Sequence, residues 1–316
     1  MSIPLLILIE VNPNGLASFE SAGFDLCLAT TPHDRANAAI TYGTDIRAVL
    51  TNGSTGFTAD EIASFPAVEI ICALGAGYEK IDLVAAQARG IIVSNGAGTN
   101  DASVADHAMA LLMSIARGIP QADAAVRRGE WAQSRQPRPM VSGKKLGVLG
   151  LGNIGKQIAQ RAKNGFNMQI SYHNRTPVAD TPYAYCETPE ELATWADFVV
   201  IATPGGATTR HLVNASVLAA LGCGGFLINI SRGSVVDTAA LIDALQQKRI
   251  AGAALDVLDG EPEVPAEFAT LTNIIFTPHI AGRSPEAVAA TAQLALQNLT
   301  AHFANQPVLT PVPMPG

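Results

Sequence analysis

The stretch VLGLGNIGKQIAQRA, Val148 to Ala162, places three glycines within six residues and then turns to a helical rhythm. Gly is among the costliest residues to order, so an apolar strand running straight into such a loop narrows the architecture sharply. It is the strand, tight turn and helix of a parallel α/β unit. Gly150 makes the turn, Gly152 lets backbone N–H groups approach a pyrophosphate, and Gly155 allows the helix to pack closely on the strand. Leu151, Asn153 and Ile154 complete the loop, at the partially positive end of the helix. The six residues alone would also serve as a plain turn; what surrounds them favours a dinucleotide.

Short apolar runs alternate with amphipathic stretches along the whole chain. PLLILIE, FDLCLA, IRAVLTN, VEIICALGAG and IIVSN form a first series. KKLGVLG, MQISYHN, DFVVIA, GFLINIS, AGAALDV and IIFTPHI form a second. Strands separated by helical patterns imply parallel sheets covered on both faces. Between the series lies a long helix, Asn100 to Gly118, and a second long Ala- and Leu-rich helix follows Ser284-Pro285. At 316 residues the chain is long enough for two cores. The expected organisation is two doubly wound α/β domains. One uses residues 1–98 and 285–316, the other residues 99–284, and the cleft between them is a favoured place for a ligand.

Several classes fall away on composition. A net charge of −7 gives no electrostatic footprint for nucleic acid. The N-terminal apolar run is short, no cationic segment precedes it, and no run of about 18 apolar residues occurs elsewhere, so no membrane span is expected. Cys27, Cys72, Cys186 and Cys223 lack metal or redox spacing and read as buried thiols of a reducing compartment, the cytoplasm. His33, His173, His211 and His302 likewise show no metal-ligand spacing, and no metal site is expected.

The second strand after the glycine loop bears on which dinucleotide binds. Holding a ribose 2′-hydroxyl calls for a carboxylate there, yet the strand ends in His173, Asn174, Arg175 and Thr176. Arg175 offers a cationic fork suited to a phosphate, which favours NADP(H) over NAD(H). Farther on, INISRGSVVD places Arg232 just past a strand. ALDVLDGEPEVP places Asp256 at a strand end and Glu261 in a Gly-Pro loop, and IIFTPHIAG places His279 after a Pro at another. Charged residues at these strand ends face the ligand crevice of a doubly wound sheet.

Taken with ALGAGYEKID and NDASVADHAMALLMSIAR, and in the same order, these segments resemble the D-isomer-specific 2-hydroxyacid dehydrogenase family along nearly the whole chain. Within it the chain looks most like the NADPH-dependent hydroxypyruvate/glyoxylate reductases, including those accepting hydroxyphenylpyruvate. The resemblance implies a Rossmann cofactor domain inserted in a flavodoxin-like substrate domain. It also implies His279 as proton donor, Glu261 as its hydrogen-bonding partner, and Arg232 as a clamp on the substrate's carboxylate and carbonyl oxygen. Backbone N–H groups of Ala76 and Gly77 would complete the carboxylate site, and Asp256 would accept from the nicotinamide carboxamide. Thr203, Pro204, Ile230 and Ser231 with Arg232 would line the dinucleotide path.

Glu261 favours proton-coupled reduction over formate oxidation, whose enzymes carry an amide at this place. Asp106 stands where the family commonly has Glu, and His107 beside it reads as a packed helix residue. The basic stretch Arg127 to Met140, with Trp131, reads as a surface arm that packs on a partner subunit in a homodimer. A rival from another class is a nucleotide-sensing corepressor-like binding module, which retains much of the same triad. It is disfavoured by the absence of a long polar tail and of an NAD-type acid in the loop. The substrate is expected to be a small 2-oxo acid.

Overall fold

The structure, a computed structural model, describes residues 2–315. It divides into two compact units: residues up to Asn100 with those from Gly282 onward, and Asp101–Ala281. The divisions fall a few residues from Gly98 and Ser284, because the long helix starts at Asp101 and Ser284 serves as the N-cap of the closing helix.

In the first unit the chain runs β1 (Ile3–Ile7), α1 (Pro13–Ser21), β2 (Phe24–Leu28), α2 (Pro32–Tyr42), β3 (Ala48–Thr51), α3 (Ala59–Ser64), β4 (Ile70–Ala73), α4 (Leu83–Ala88) and β5 (Ile92–Asn95). The strands lie in the order β2-β1-β3-β4-β5, all parallel. Helix starts are written locally: Asn12, Thr31, Thr58 and Asp82 each accept a backbone N–H of the first turn, and Asp34 and Glu61 close capping boxes. Successive strand residues point to opposite faces. Leu6, Val49 and Ile71 therefore enter one core, while Leu5, Ile7, Leu50 and Ile70 enter another with Leu299 of the closing helix.

The second unit begins with α5 (Asp101–Arg117) and α6 (Ile119–Arg127). It continues through β6 (Lys145–Leu149), α7 (Asn153–Phe166), β7 (Gln169–His173), β8 (Ala184–Tyr185), α8 (Pro189–Trp195), β9 (Phe198–Ile201), α9 (Ala215–Leu221), β10 (Phe226–Asn229), α10 (Thr238–Gln246), β11 (Gly252–Leu255) and β12 (Ile274–Phe276). The closing helix of the first unit, Pro285–Phe303, is α11. The parallel sheet runs β12-β11-β10-β9-β6-β7-β8. The connection order reverses between β6 and β9, the place where doubly wound sheets open a crevice at their C-terminal edge. On α5, Val104, Ala108, Leu111, Leu112 and Ile115 share one face and bury it against Leu146, Val148, Phe198 and Ile228.

The cysteines depart in part from expectation. Cys72 and Cys186 are buried and Cys27 is half-buried, but Cys223 is exposed because it lies in the Gly-rich turn between α9 and β10. Burial pushes the Cys72 thiol up to about 12, against the weaker pull of the Ser94 hydroxyl. Among the described residues no helix is long and apolar enough to cross a membrane, and no cluster of His, Cys, Asp and Glu could hold a metal ion.

Candidate active site

The glycine loop joins β6 to α7 at the sheet's reversal point. Gly150 has φ +105°, and a Cβ there would lie 2.7 Å from the backbone joining Ala202 to Thr203. A Cβ on Gly155 would lie 2.1 Å from the Gly150 carbonyl oxygen, so neither position admits a side chain. At Gly152 the opposite holds: a Cβ would meet nothing within 4 Å. Gly152 is also the N-cap of α7 and supplies no side-chain cap. The first N–H groups of the helix, those of Asn153, Ile154 and Gly155, are thus presented beside open space, the condition for binding a phosphate.

Two further observations fit a dinucleotide. The Thr203 hydroxyl, in the loop after β9, is buried without a hydrogen-bond partner among the described residues. Such a group normally has one, and a ligand along the crevice would supply it. At the end of β7, Asn174 Oδ1 accepts the Leu151 N–H at 2.6 Å, and the Asn174 carbonyl accepts the Tyr185 hydroxyl at 3.1 Å. Asn174 therefore braces the glycine loop from behind. His173 Nδ1 bonds the Cys186 carbonyl at 2.9 Å, which makes that nitrogen the donor, and its ring stacks on Tyr185. Arg175 and Thr176 are exposed. Pro204 follows Thr203, and its carbonyl accepts the Thr209 hydroxyl at 2.8 Å.

Arg232 follows Ile230 and Ser231 after β10. Asn229, fully buried at the strand end, shapes this turn. Its Oδ1 accepts the Ser231 N–H and hydroxyl, and its amide donates to the Arg232 carbonyl at 3.0 Å. One guanidinium nitrogen of Arg232 donates to the Ser231 carbonyl at 2.6 Å. A Cβ on Gly233 would lie 1.8 Å from the Leu258 carbonyl carbon. The turn carrying Arg232 therefore presses directly on the loop that leads to Glu261.

Glu261 and His279 come together from the loops after β11 and β12. His279 Nδ1 stands 2.7 Å from Glu261 Oε1, and both side chains keep part of their surface exposed. A carboxylate only accepts, so Nδ1 is the donor and Nε2 is left for a ligand. The second Glu261 oxygen accepts the Leu258 N–H at 3.3 Å. Burial pushes the Glu261 carboxyl up, but the His279 hydrogen bond and charge, the Leu258 N–H and the Arg232 guanidinium outweigh it and hold it below the usual range. Glu261 is an anion at neutral pH, wedged between two potential cations.

Asp256 is turned inward. It is 2% exposed, and its Oδ1 accepts the Thr277 hydroxyl at 2.5 Å and the Ile280 N–H at 3.0 Å. Oδ2 accepts the Ala281 N–H at 2.9 Å, and the Asp256 carbonyl accepts the His279 N–H at 2.8 Å. Three successive N–H groups around His279 are thus gripped by one residue, and His279 itself sits at φ +54°. A non-glycine residue in that region is held there only by its surroundings.

Ala76 and Gly77 belong to the first unit, in the loop after β4, where Asn95 donates to the Ala76 carbonyl at 2.8 Å. The structure also brings forward residues that sequence reasoning left aside. His107, on α5, places Nε2 2.9 Å from the Thr277 hydroxyl and 3.5 Å from Asp256 Oδ1. Asp101, at the start of α5, hydrogen-bonds Asn153 of the glycine loop, and burial, the larger influence, raises its carboxyl. Asp106 pairs with Arg161 at 2.7 Å and joins α5 to α7.

Comparison with known proteins shows the family and the fold. Residues 109–281 match the model of the D-isomer specific 2-hydroxyacid dehydrogenase NAD binding domain. The chain is 40% identical over 290 residues to glyoxylate/hydroxypyruvate reductase A of Arabidopsis thaliana, covering 92% of each chain. It is 39% identical over 268 residues to the hydroxyphenylpyruvate reductase of Plectranthus scutellarioides, covering 84% of this chain and 85% of that one. Its fold superposes, with a TM-score of 0.90 and 35% identity, on an NADPH-dependent glyoxylate/hydroxypyruvate reductase from Sinorhizobium meliloti solved in complex with NADP and malonate. That match covers 99% of this chain and 97% of the other.

Proposed function

The chain belongs to the D-isomer-specific 2-hydroxyacid dehydrogenase family, and from that premise we propose that it reduces a small 2-oxo acid to the D-2-hydroxy acid, with NADPH as reductant. The observation that carries this reading is the Glu261–His279 pair, held at 2.7 Å with Nε2 of the imidazole unengaged by Glu261. The dinucleotide, when bound, supplies the hydride that is added to the carbonyl carbon. His279 gives its Nε2 proton to the carbonyl oxygen, and Glu261, kept anionic, accepts from Nδ1 and so orients the ring with Nε2 toward the substrate. Arg232 holds the substrate carboxylate and steadies the negative charge that grows on the oxygen. The family resemblance adds the Ala76 and Gly77 N–H groups to carboxylate binding, an assignment that rests on sequence.

For the dinucleotide, the N–H groups at the start of α7 are assigned to the pyrophosphate and Thr203 to the path between the two halves. Arg175 and Thr176, exposed at the end of β7, are assigned to a 2′-phosphate; the absence of a carboxylate among residues 173–176 supports NADPH over NADH. The named relatives make glyoxylate, hydroxypyruvate and an aryl pyruvate the substrates to compare. The four free cysteines support a cytoplasmic address. Two exposed apolar side chains support a homodimer: Trp131 is 66% exposed and Met140 62%, in the arm that follows α6. Steady-state reduction of those three acids with NADPH tests the reading. His279→Ala should lower kcat by about 10²–10⁴; near-native reduction by that variant across the pH range overturns it.

A further inference from the structure

The loop Thr277–Ala281, which carries His279, is clasped from one side by α5. Ser103 and His107 lie one turn apart on that helix and therefore share a face. Ser103 donates its hydroxyl to the Ala281 carbonyl at 2.6 Å, at one end of the loop. At the other end His107 Nε2 meets the Thr277 hydroxyl at 2.9 Å. Thr277 in turn donates to Asp256 Oδ1 at 2.5 Å, so its hydroxyl proton is committed to the carboxylate. The Thr277 oxygen is then left as an acceptor, which makes His107 Nε2–H the donor. The chain of donation runs from His107 to Thr277 to Asp256 and ends there, at a carboxylate that also accepts the N–H groups of Ile280 and Ala281.

We propose that His107 is a positioning residue for the reduction, holding the left-handed His279 in its productive orientation through Thr277 and Asp256 without touching substrate. The reason lies in the backbone. His279 adopts φ +54°, a conformation an L-residue keeps only under constraint. The constraint is Asp256, whose carbonyl takes the His279 N–H and whose carboxylate takes the next two. Beside those two N–H groups the carboxylate is held by the Thr277 hydroxyl, whose oxygen is itself engaged by His107, and His107 Nε2 also lies 3.5 Å from Asp256 Oδ1. Hydrogen bonds in such a buried series reinforce one another. The lowered Asp256 carboxyl, pushed up by burial but pulled down more strongly by His107, Thr277 and the two N–H groups, agrees with a carboxylate fully engaged by its own chain.

The inference rests on His279 being the proton donor, and the test separates the two. His107→Phe keeps the ring and removes the donor, whereas His107→Gln can return an N–H near the place of Nε2. With NADPH and hydroxypyruvate, His107→Phe should lower kcat on the order of tenfold, since small misplacements of a reacting group are costly, with KM for both reactants within about twofold. His107→Gln should recover most of kcat. In a His279→Ala background, His107→Phe should have no further effect, because it acts through the missing group. An unchanged kcat in His107→Phe overturns the proposal, as does a rise confined to KM, which would put His107 on a ligand. A loss that Gln does not restore, or one that persists undiminished in the His279→Ala background, also overturns it. If His279→Ala alone is near-native, it is the proton-donor reading that has failed. A thermal melt of each variant confirms that folded protein is being compared.

Discussion

Asp256→Asn separates holding the catalytic loop from contacting a ligand. The native carboxylate takes the Thr277 hydroxyl and Ile280 N–H on one oxygen, and the Ala281 N–H on the other. An amide of the same shape has a single oxygen. In its better orientation that oxygen stays with Thr277 and Ile280, and the new NH2 then faces the Ala281 N–H, donor against donor, 2.9 Å apart in the native geometry. A buried donor left unmet costs about 1–3 kcal/mol, and the two bonds that remain lose their charge assistance. Because the three bonds share one side chain their losses do not add, and a net cost of about 3 kcal/mol follows from the unmet donor and the weakened pair. For a unit of this length each kcal/mol moves the midpoint by about 2–4 °C, so the Asn variant should melt about 6–12 °C below the native protein.

The same variant has a pH signature. The native carboxyl is held below its ordinary value, burial raising it and the bonds from His107, Thr277, Ala281 and Ile280 lowering it by more. A depressed folded-state value contributes stability that is present above the unfolded value, about 3.9 for Asp, and is lost as pH falls through the folded one. The gap between native and variant should therefore be full at neutral pH and begin to close only below about pH 4. Calorimetric melts of ligand-free protein across that range give both quantities. A variant within about 1 °C of native at neutral pH, too small for the loss of a buried acceptor, refutes the reasoning. So does a gap of constant size down to the acid limit of folding.

Arg175→Ala should lower kcat/KM for NADPH by about 10–100-fold, the value of a charge-assisted phosphate contact, and leave NADH nearly unchanged; equal losses for both cofactors would remove Arg175 from the phosphate. Glu261→Gln keeps the shape of the group but can turn an N–H toward His279 Nδ1, so it should lower kcat for reduction by about tenfold or more. A native kcat in that variant would detach Glu261 from the positioning of His279. Trp131→Asp should convert a dimer to a monomer in sedimentation equilibrium, and a native protein that is already monomeric refutes the proposed arm.

What the sequence revealed best is what backbone geometry alone demands. Gly150 at φ +105° against Ala202, and Gly155 against the Gly150 carbonyl, tolerate one residue type, so the loop announces itself in three letters. The strands of both parallel sheets were legible because both faces are buried and each reads as a short apolar run. The two-residue β8 was not, being too short to carry a period. Helix α6 was not read at all, because Gly118 at φ +60° and a proline at its start look like a break rather than a helix start. Asn174 reads in sequence as a ligand-facing residue, yet its side-chain oxygen is engaged by Leu151. His107 and Thr277 stand 170 positions apart. Nothing local distinguishes a histidine that braces a loop from one that fills a core, so only the folded chain discloses the clasp.

The order of the sheet explains how groups so far apart in sequence can act as one site. Along β12-β11-β10-β9-β6-β7 every strand delivers something from its C-terminal edge. In that order the groups are His279, Asp256 with Glu261, Arg232, Thr203, the glycine loop, and Asn174 with Arg175. Neighbouring strands lie about 4.8 Å apart, so three adjacent strand ends bring imidazole, carboxylate and guanidinium within about 10 Å whatever the length of the intervening helices. The charged groups assigned to the reaction thus gather on β10 to β12, the backbone assigned to the pyrophosphate on β6, and the cation assigned to the 2′-phosphate on β7. Reversal of the chain between β6 and β9 places the two groups on opposite sides of one crevice opening. A dinucleotide laid across that opening reaches both, and it is this layout, more than any single motif, that ties the glycine loop to the imidazole of His279.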